Sequence, residues 1–291
     1  MNKFILILSL FLVGCHTLPE SKKQVVFVSI APLKYVVEQI LDTAAFRVEV
    51  LVPETASPES YEPTVQQIRR LADAQACISV GLIDFEQVLA GKIEAIAPNT
   101  AQLNLAASDP VDGRRQSEPL RQQHGHHHAY DPHIWLSPQR VGRMGREIAA
   151  FFGELHPDSA SVYQARAGHF AERIDTLDRY IRQAVSGAGR KGFAIGHPSL
   201  GYFADDYGLQ QIVIEEEGKE PSVQRMKQLA DSLRRQGIRT ILYQRQTSDA
   251  AARTIARELP GGRTTVFDPL AENWAENLHR LADTLQVILN E

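Results

Sequence analysis

Apolar residues along this chain fall into two kinds of stretch. Short runs of strand length recur at QVVFVSI (24–30), RVEVLVP (47–53), ACISVG (76–81) and TAQLNLA (100–106), then at GFAIG (192–196), QIVIE (211–215), TILYQ (240–244) and TTVF (264–267). Between them the apolar positions return every three or four residues. Leu33, Val36, Val37, Ile40 and Leu41 behind Pro32 show the helical period. Further helices are expected near 64–72, 84–96, 138–154, 200–207, 221–236, 249–259 and 271–289. Strands alternating with helices predict βαβ units and mainly parallel sheets flanked by helices, an α/β fold.

Two stretches interrupt the alternation. From 157 to 186, Tyr163, Ala167, Phe170, Ile174, Leu177, Ile181 and Ala184 form one apolar face, while arginines and aspartates take the rest. Pro157 precedes this helix and Gly187-Ala188-Gly189 ends it. About 28 residues would run roughly 42 Å, longer than one lobe needs, so the helix reads as a rigid strut. The second interruption, 107–130, is polar and without period, and reads as an inserted functional or disordered loop. The expected division is a leader at 1–14, an α/β lobe at 15–155 carrying a His-rich loop at 114–130, a linking helix at 156–187, and a second α/β lobe at 188–291. The halves look alike in plan but not in residue pattern, and no short-period repeat is evident.

Composition alters this picture little. With 291 residues, 43% hydrophobic and 23% charged, the chain is ordinary globular material. Its formal charge of −4 and lack of a basic stripe speak against nucleic acid. The start is more informative. Lys3 followed by FILILSLFLV (4–13) is an apolar run too short to span a bilayer. It ends in Leu12-Val13-Gly14-Cys15, which resembles the lipobox of bacterial lipoproteins, with Cys15 as the lipid-modified residue. An ordinary signal peptide that happens to hold a cysteine is the plainer alternative. Export and a lipid anchor at Cys15, on a periplasmic or extracytoplasmic membrane face, are the expectation. Cys77 is then the single remaining thiol, without an intramolecular disulfide partner, and reads as a small buried hydrophobe.

Candidate chemistry gathers at strand ends. Glu59 lies in the turn after the second strand, His133 beyond the fourth, His197 directly after strand 192–196, and Asp268 directly after strand 264–267. Open α/β sheets bind ligands outside the carboxyl ends of their strands. Two facing lobes would bring two imidazoles and two carboxylates together, a set suited to a divalent transition metal. Each member also has a plainer role: a solvated turn for Glu59, a packed structural histidine for His133, a core histidine for His197, a helix N-cap for Asp268. Spacing alone leaves both readings open. His124, His126, His127 and His128 form a separate run within the polar loop, either a solvated segment or a weak auxiliary metal collector. Glu215-Glu216-Glu217 reads as a solvated face.

The motifs ASPESYEPT (56–64), DPHIWLSP (131–138), GHPSLGYFADDYGL (196–209), EPS (220–222) and VFDPL (266–270), with the lipobox and the long central helix, carry a resemblance. In their order and spacing the chain resembles the metal-binding solute receptors of bacterial ABC transporters for zinc and manganese, the adhesin-lipoprotein family. That resemblance implies two α/β lobes joined by one rigid helix. It also implies a metal between the lobes on Glu59, His133, His197 and Asp268, and a membrane permease as partner to a monomeric receptor. One departure stands out: the family usually places histidine where this chain has Glu59. A carboxylate there favours manganese or iron, whereas His197 and the His-rich loop match the zinc receptors, and zinc outbinds manganese at mixed nitrogen and oxygen sites. Zinc is the expected ion, manganese or iron the alternative.

Two other functions compete. A zinc hydrolase needs an open coordination position and a general base, and no HExxH, Ser-His-Asp or Cys-His signature is present. A haem or siderophore receptor would need an aromatic or Arg-lined cleft instead of a convergent His/Asp/Glu set. A non-enzymatic binding protein is the expectation.

Overall fold

The computed structural model describes residues 23–108, 130–215 and 219–291. The leader, Cys15, the His run at 124–128, Glu216 and Glu217 lie outside them. The first half runs β1 (Gln24–Val28), α1 (Ala31–Ile40), β2 (Phe46–Val50), α2 (Val65–Leu71), β3 (Ala76–Ser79), α3 (Asp84–Ile96), β4 (Ala101–Asn104) and α4 (Pro138–Leu155). Helix α5 (Ala160–Val185) leads to the second half. That half comprises β5 (Gly192–Ile195), α6 (Gly201–Tyr207), β6 (Gln210–Val213), α7 (Val223–Gln236), β7 (Thr240–Gln244), α8 (Ala250–Arg257), β8 (Arg263–Phe267) and α9 (Trp274–Ile288). No helix among the described residues is long and apolar enough to cross a membrane.

Each half folds around a four-stranded sheet, ordered β2-β1-β3-β4 and β6-β5-β7-β8. Every pairing is parallel: Val26 faces Val48 and Ala76, while Ala194 faces Ile212 and Ile241. In both sheets the order reverses beside the first strand, which opens a crevice at the carboxyl ends. The last helix starts three residues later than its apolar period suggests, because 268–273 is taken up by a turn in which Asp268 Oδ1 accepts from Leu270 N.

Helix α5 has 26 residues and buries the face its period indicates, from Tyr163 through Phe170 and Ile181 to Ala184. A short 3-10 turn, Pro157–Ser159, brings the chain into it from α4. Close approach of α4 and α5 depends on Gly145, where a Cβ would fall 2.6 Å from the Phe170 ring.

The lobes share more than this helix. One continuous buried cluster runs from Val26 and Leu33 in the first lobe, through Ile148, Phe170 and Ile181, to Phe203, Leu242, Trp274 and Leu285 in the second. A smaller core, with Leu229, Leu233, Ile241 and Ile255, lies between the second sheet and α7 and α8. Two buried tryptophans each donate a hydrogen bond across the division. Trp135 Nε1 donates to Pro269 O at 2.8 Å, and Trp274 Nε1 donates to Trp135 O at 2.7 Å.

Candidate metal centre

Three loops at the carboxyl edges of the sheets build the site. Glu59 stands in a 3-10 turn, Pro58–Ser60, between β2 and α2. Its position is set from the helix side. Thr64 caps α2 by accepting from Gln67 N at 3.3 Å, and Gln67 Oε1 accepts from Thr64 N at 2.9 Å. Gln67 also donates to Leu51 O at 2.8 Å and accepts from Tyr61 Oη at 2.7 Å, tying the turn to the end of the strand.

His133 is 4% exposed and fixed by a residue two positions earlier. Asp131 Oδ1 accepts from His133 N at 2.9 Å and lies 2.7 Å from its Nδ1. The 3-10 turn that follows, Ile134–Leu136, is wholly buried and anchors the loop. His197 follows β5, with Gly196 N donating to Leu242 O at 2.8 Å. Its Nδ1 lies 2.8 Å from Glu215 Oε2 at the end of the neighbouring β6.

Both imidazoles therefore turn Nδ1 to a carboxylate and present Nε2 to the crevice, the orientation that metal-ligating histidines adopt. The two Nε2 atoms converge on one oxygen. Glu59 Oε1 is 2.9 Å from His197 Nε2 and 3.8 Å from His133 Nε2. One donor atom from each of Glu59, His133 and His197 lies within 4.8 Å of the others. Ligands about 2.0–2.1 Å from a tetrahedral zinc stand roughly 3.3 Å apart, so small side-chain movements would close the set on such an ion. The rings meet edge to face, 5.2 Å between centroids.

Asp268 is placed differently. Its Oδ1 accepts from Gln246 Nε2 at 2.9 Å as well as from Leu270 N, and its Oδ2 faces Arg245 Nε at 3.6 Å. It lines a neighbouring recess of about 510 Å³ with Tyr35, Glu54 and Arg245, and stands outside the group formed by the other three.

Two carboxylates outside the expected set hold the imidazoles. Asp131 was legible as a carboxylate two residues before a histidine. Glu215, unlike the solvated face expected of the acidic run, has a side chain only 20% exposed and bonded to His197. Nothing local marks it, because strand pairing brings it there. Cys77 is buried beside Glu86, and burial pushes its thiol up to about 12, so it stays protonated and inert.

Burial lowers the pKa of the His197 imidazole, but the hydrogen bonds it donates to Glu215 and Glu59, and their charges, outweigh it and push it up to about 10 from its ordinary 6.5. A folded value above the unfolded one means the protonated ring stabilises the metal-free protein fully below pH about 6.5. That contribution is lost as pH climbs through about 10. Denaturant unfolding of metal-stripped protein at pH 6, 8 and 10.5 should show the loss. Constant stability across that range would mean that the ring is neutral before metal binds.

A family model described as zinc-uptake complex component A, periplasmic, matches residues 26–287. The zinc-binding protein AdcA of Streptococcus pyogenes serotype M3 is 30% identical over 237 residues, covering 77% of this chain and 46% of that protein. The high-affinity zinc uptake system protein ZnuA of Bacillus subtilis is 27% identical over 230 residues, covering 77% of this chain and 71% of the relative. The chain thus spans about half the length of the AdcA proteins it matches. A crystal structure of ZnuA superposes with a TM-score of 0.84 at 34% identity, covering 92% of this chain and 100% of that one. A zinc-bound ZnuA lacking residues 138–173 of its own numbering superposes at 0.83 with 33% identity, covering 93% of this chain and 99% of the other.

Proposed function

Because the chain belongs to the family of periplasmic zinc-uptake complex component A, we propose that it is an extracytoplasmic receptor that captures a zinc ion between its lobes and hands it to the membrane permease of an ABC transporter. Glu59, His133 and His197 are the proposed ligands. The observation that carries the reading is the convergence of two imidazoles, each oriented by its own carboxylate, with Glu59 Oε1 from the facing loop. Two nitrogen donors and one carboxylate favour zinc over manganese by the general affinity order. Asp268 would join as a fourth ligand through Oδ2, displacing Arg245, since Oδ1 is held by Gln246 and Leu270 N. Otherwise water completes the coordination. Anchoring through Cys15 and action as a monomer complete the proposal.

Binding without chemistry fits the same geometry. A hydrolytic zinc needs a free general base beside its water. Here Asp131 and Glu215, the carboxylates that adjoin the two imidazoles, are each engaged with an Nδ1.

Metal analysis of protein purified without added metal, followed by zinc and manganese competition, tests the reading. One tightly held zinc per chain is expected, displaced by manganese only at large excess. Preferential retention of manganese or iron would overturn the choice of ion. Glu59→Ala should weaken zinc binding by at least about tenfold, or about 1.4 kcal/mol. An unchanged affinity would reduce Glu59 to a turn residue. Glu59→His should raise the preference for zinc over manganese, since it exchanges a hard oxygen for an imidazole nitrogen.

A further inference from the structure

The two oxygens of Asp268 are held by different kinds of partner. Oδ1 accepts from Gln246 Nε2 at 2.9 Å and from Leu270 N at 3.0 Å. Both donors are neutral, and together they fix the direction of the carboxylate. Oδ2 faces a charge, Arg245 Nε at 3.6 Å. The aspartate side chain is 18% exposed, the arginine 61%. A carboxylate so largely buried needs a cation beside it, and here a guanidinium supplies it.

Arg245 opens the turn between β7 and α8, at the edge of the crevice. The next residue, Gln246, also donates to Glu54 O at 3.0 Å, so this turn reaches across to the first lobe. Arg245 and Asp268 both line the recess that contains Tyr35, Glu38, Glu54 and Glu272. An ion pair with so exposed an arginine adds little to stability. Its consequence lies with Asp268, which stands outside the group formed by Glu59, His133 and His197.

That group offers two nitrogens and one carboxylate oxygen. Zinc completes a tetrahedron on such a set with one water. Manganese prefers six ligands rich in oxygen, and gains more from a second carboxylate. With Glu59 already supplying an oxygen, Asp268 would turn the set into two nitrogens and two carboxylates, which suits manganese better. Either metal recruits Asp268 Oδ2 only by parting it from Arg245. Zinc can do without that ligand, whereas manganese loses a hard donor it needs.

We propose that Arg245 is a specificity-determining residue, which withholds Asp268 from the metal centre and so favours zinc over manganese. This rests on the zinc site proposed above and adds to it the residue that sets its selectivity.

The test measures zinc and manganese affinities by chelator competition on the full chain. The variants are Arg245→Gln, Arg245→Lys, Asp268→Asn, and Arg245→Gln combined with Asp268→Asn. Asparagine keeps the Oδ1 acceptor for Gln246 and Leu270 N, and Arg245 is exposed, so its replacement leaves the core untouched. Arg245→Gln should raise manganese affinity relative to zinc by about three- to fivefold, the range set by parting a partly exposed ion pair. Arg245→Lys, which keeps the charge, should restore most of the discrimination. Within the Asp268→Asn chain, Arg245→Gln should leave the ratio of the two affinities where it was. Equal tightening of both metals by Arg245→Gln would mean plain repulsion between guanidinium and ion, and would overturn the proposal. An unchanged ratio, or a shifted one that persists in the Asp268→Asn chain, would overturn it too. If the unaltered chain held no zinc tightly, the metal centre itself would be overturned, and the role of Arg245 with it.

Discussion

Replacing His197 with alanine is expected to weaken zinc binding by at least about a hundredfold, or roughly 2.7 kcal/mol. Loss of an outer carboxylate behind a ligating histidine costs about 10–100-fold, and loss of the ligand itself should not cost less. The substitution removes the Nε2 donor that stands 2.9 Å from Glu59 Oε1, and it also leaves Glu215, largely buried, without its imidazole. His197→Gln separates these effects, because a side-chain amide can still donate to Glu215 but ligates zinc poorly. Chelator competition on both variants should give similar large losses, with better stability for glutamine. If either variant kept zinc within about threefold of the unaltered chain, the ion would have to sit elsewhere, and the His run at 124–128 would become the first place to look.

Trp274→Ala should destabilise the whole protein by about 3–5 kcal/mol, the usual cost of emptying a large buried aromatic site. Trp274 is 1% exposed, packs against Tyr35 with centroids 5.8 Å apart, and donates to Trp135 O. Trp274→Phe keeps most of the volume and leaves that carbonyl without its donor, at a cost of about 1–3 kcal/mol. Unfolding in denaturant, followed by fluorescence and circular dichroism, should show one coincident transition for the unaltered chain, since a single core runs through both lobes. Two separate transitions would mean that the lobes fold independently and that the tryptophan pair is a surface contact. Zinc affinity should fall along with stability in Trp274→Ala. Trp135 lies two residues after His133, and its indole is bonded to Pro269, next to Asp268.

How far the sequence reaches can be seen in particular residues. The apolar period of 157–186 is met in α5 because a helix's buried face follows from spacings of three and four along one segment. The eight strand runs pair in parallel for a similar reason: continuous apolar runs separated by helices leave few other arrangements. DPHIWLSP reads as a fixed turn, and Asp131 does fix His133 from two residues away. These are local relations, set by backbone geometry over a few residues.

The remainder depends on which distant surfaces meet. The period of α9 would be the same whether it covered only its own sheet or packed also on α5, so the shared core was not legible. Glu215 looks like the start of an acidic run until strand pairing sets it behind His197. Asp268 ends its strand as expected, yet Gln246 and Arg245 claim its carboxylate, and nothing in VFDPL encodes those neighbours. Side-chain period and turn chemistry are properties of one segment. Ligand geometry, and the environment of a buried charge, belong to pairs of segments that only the folded chain brings together.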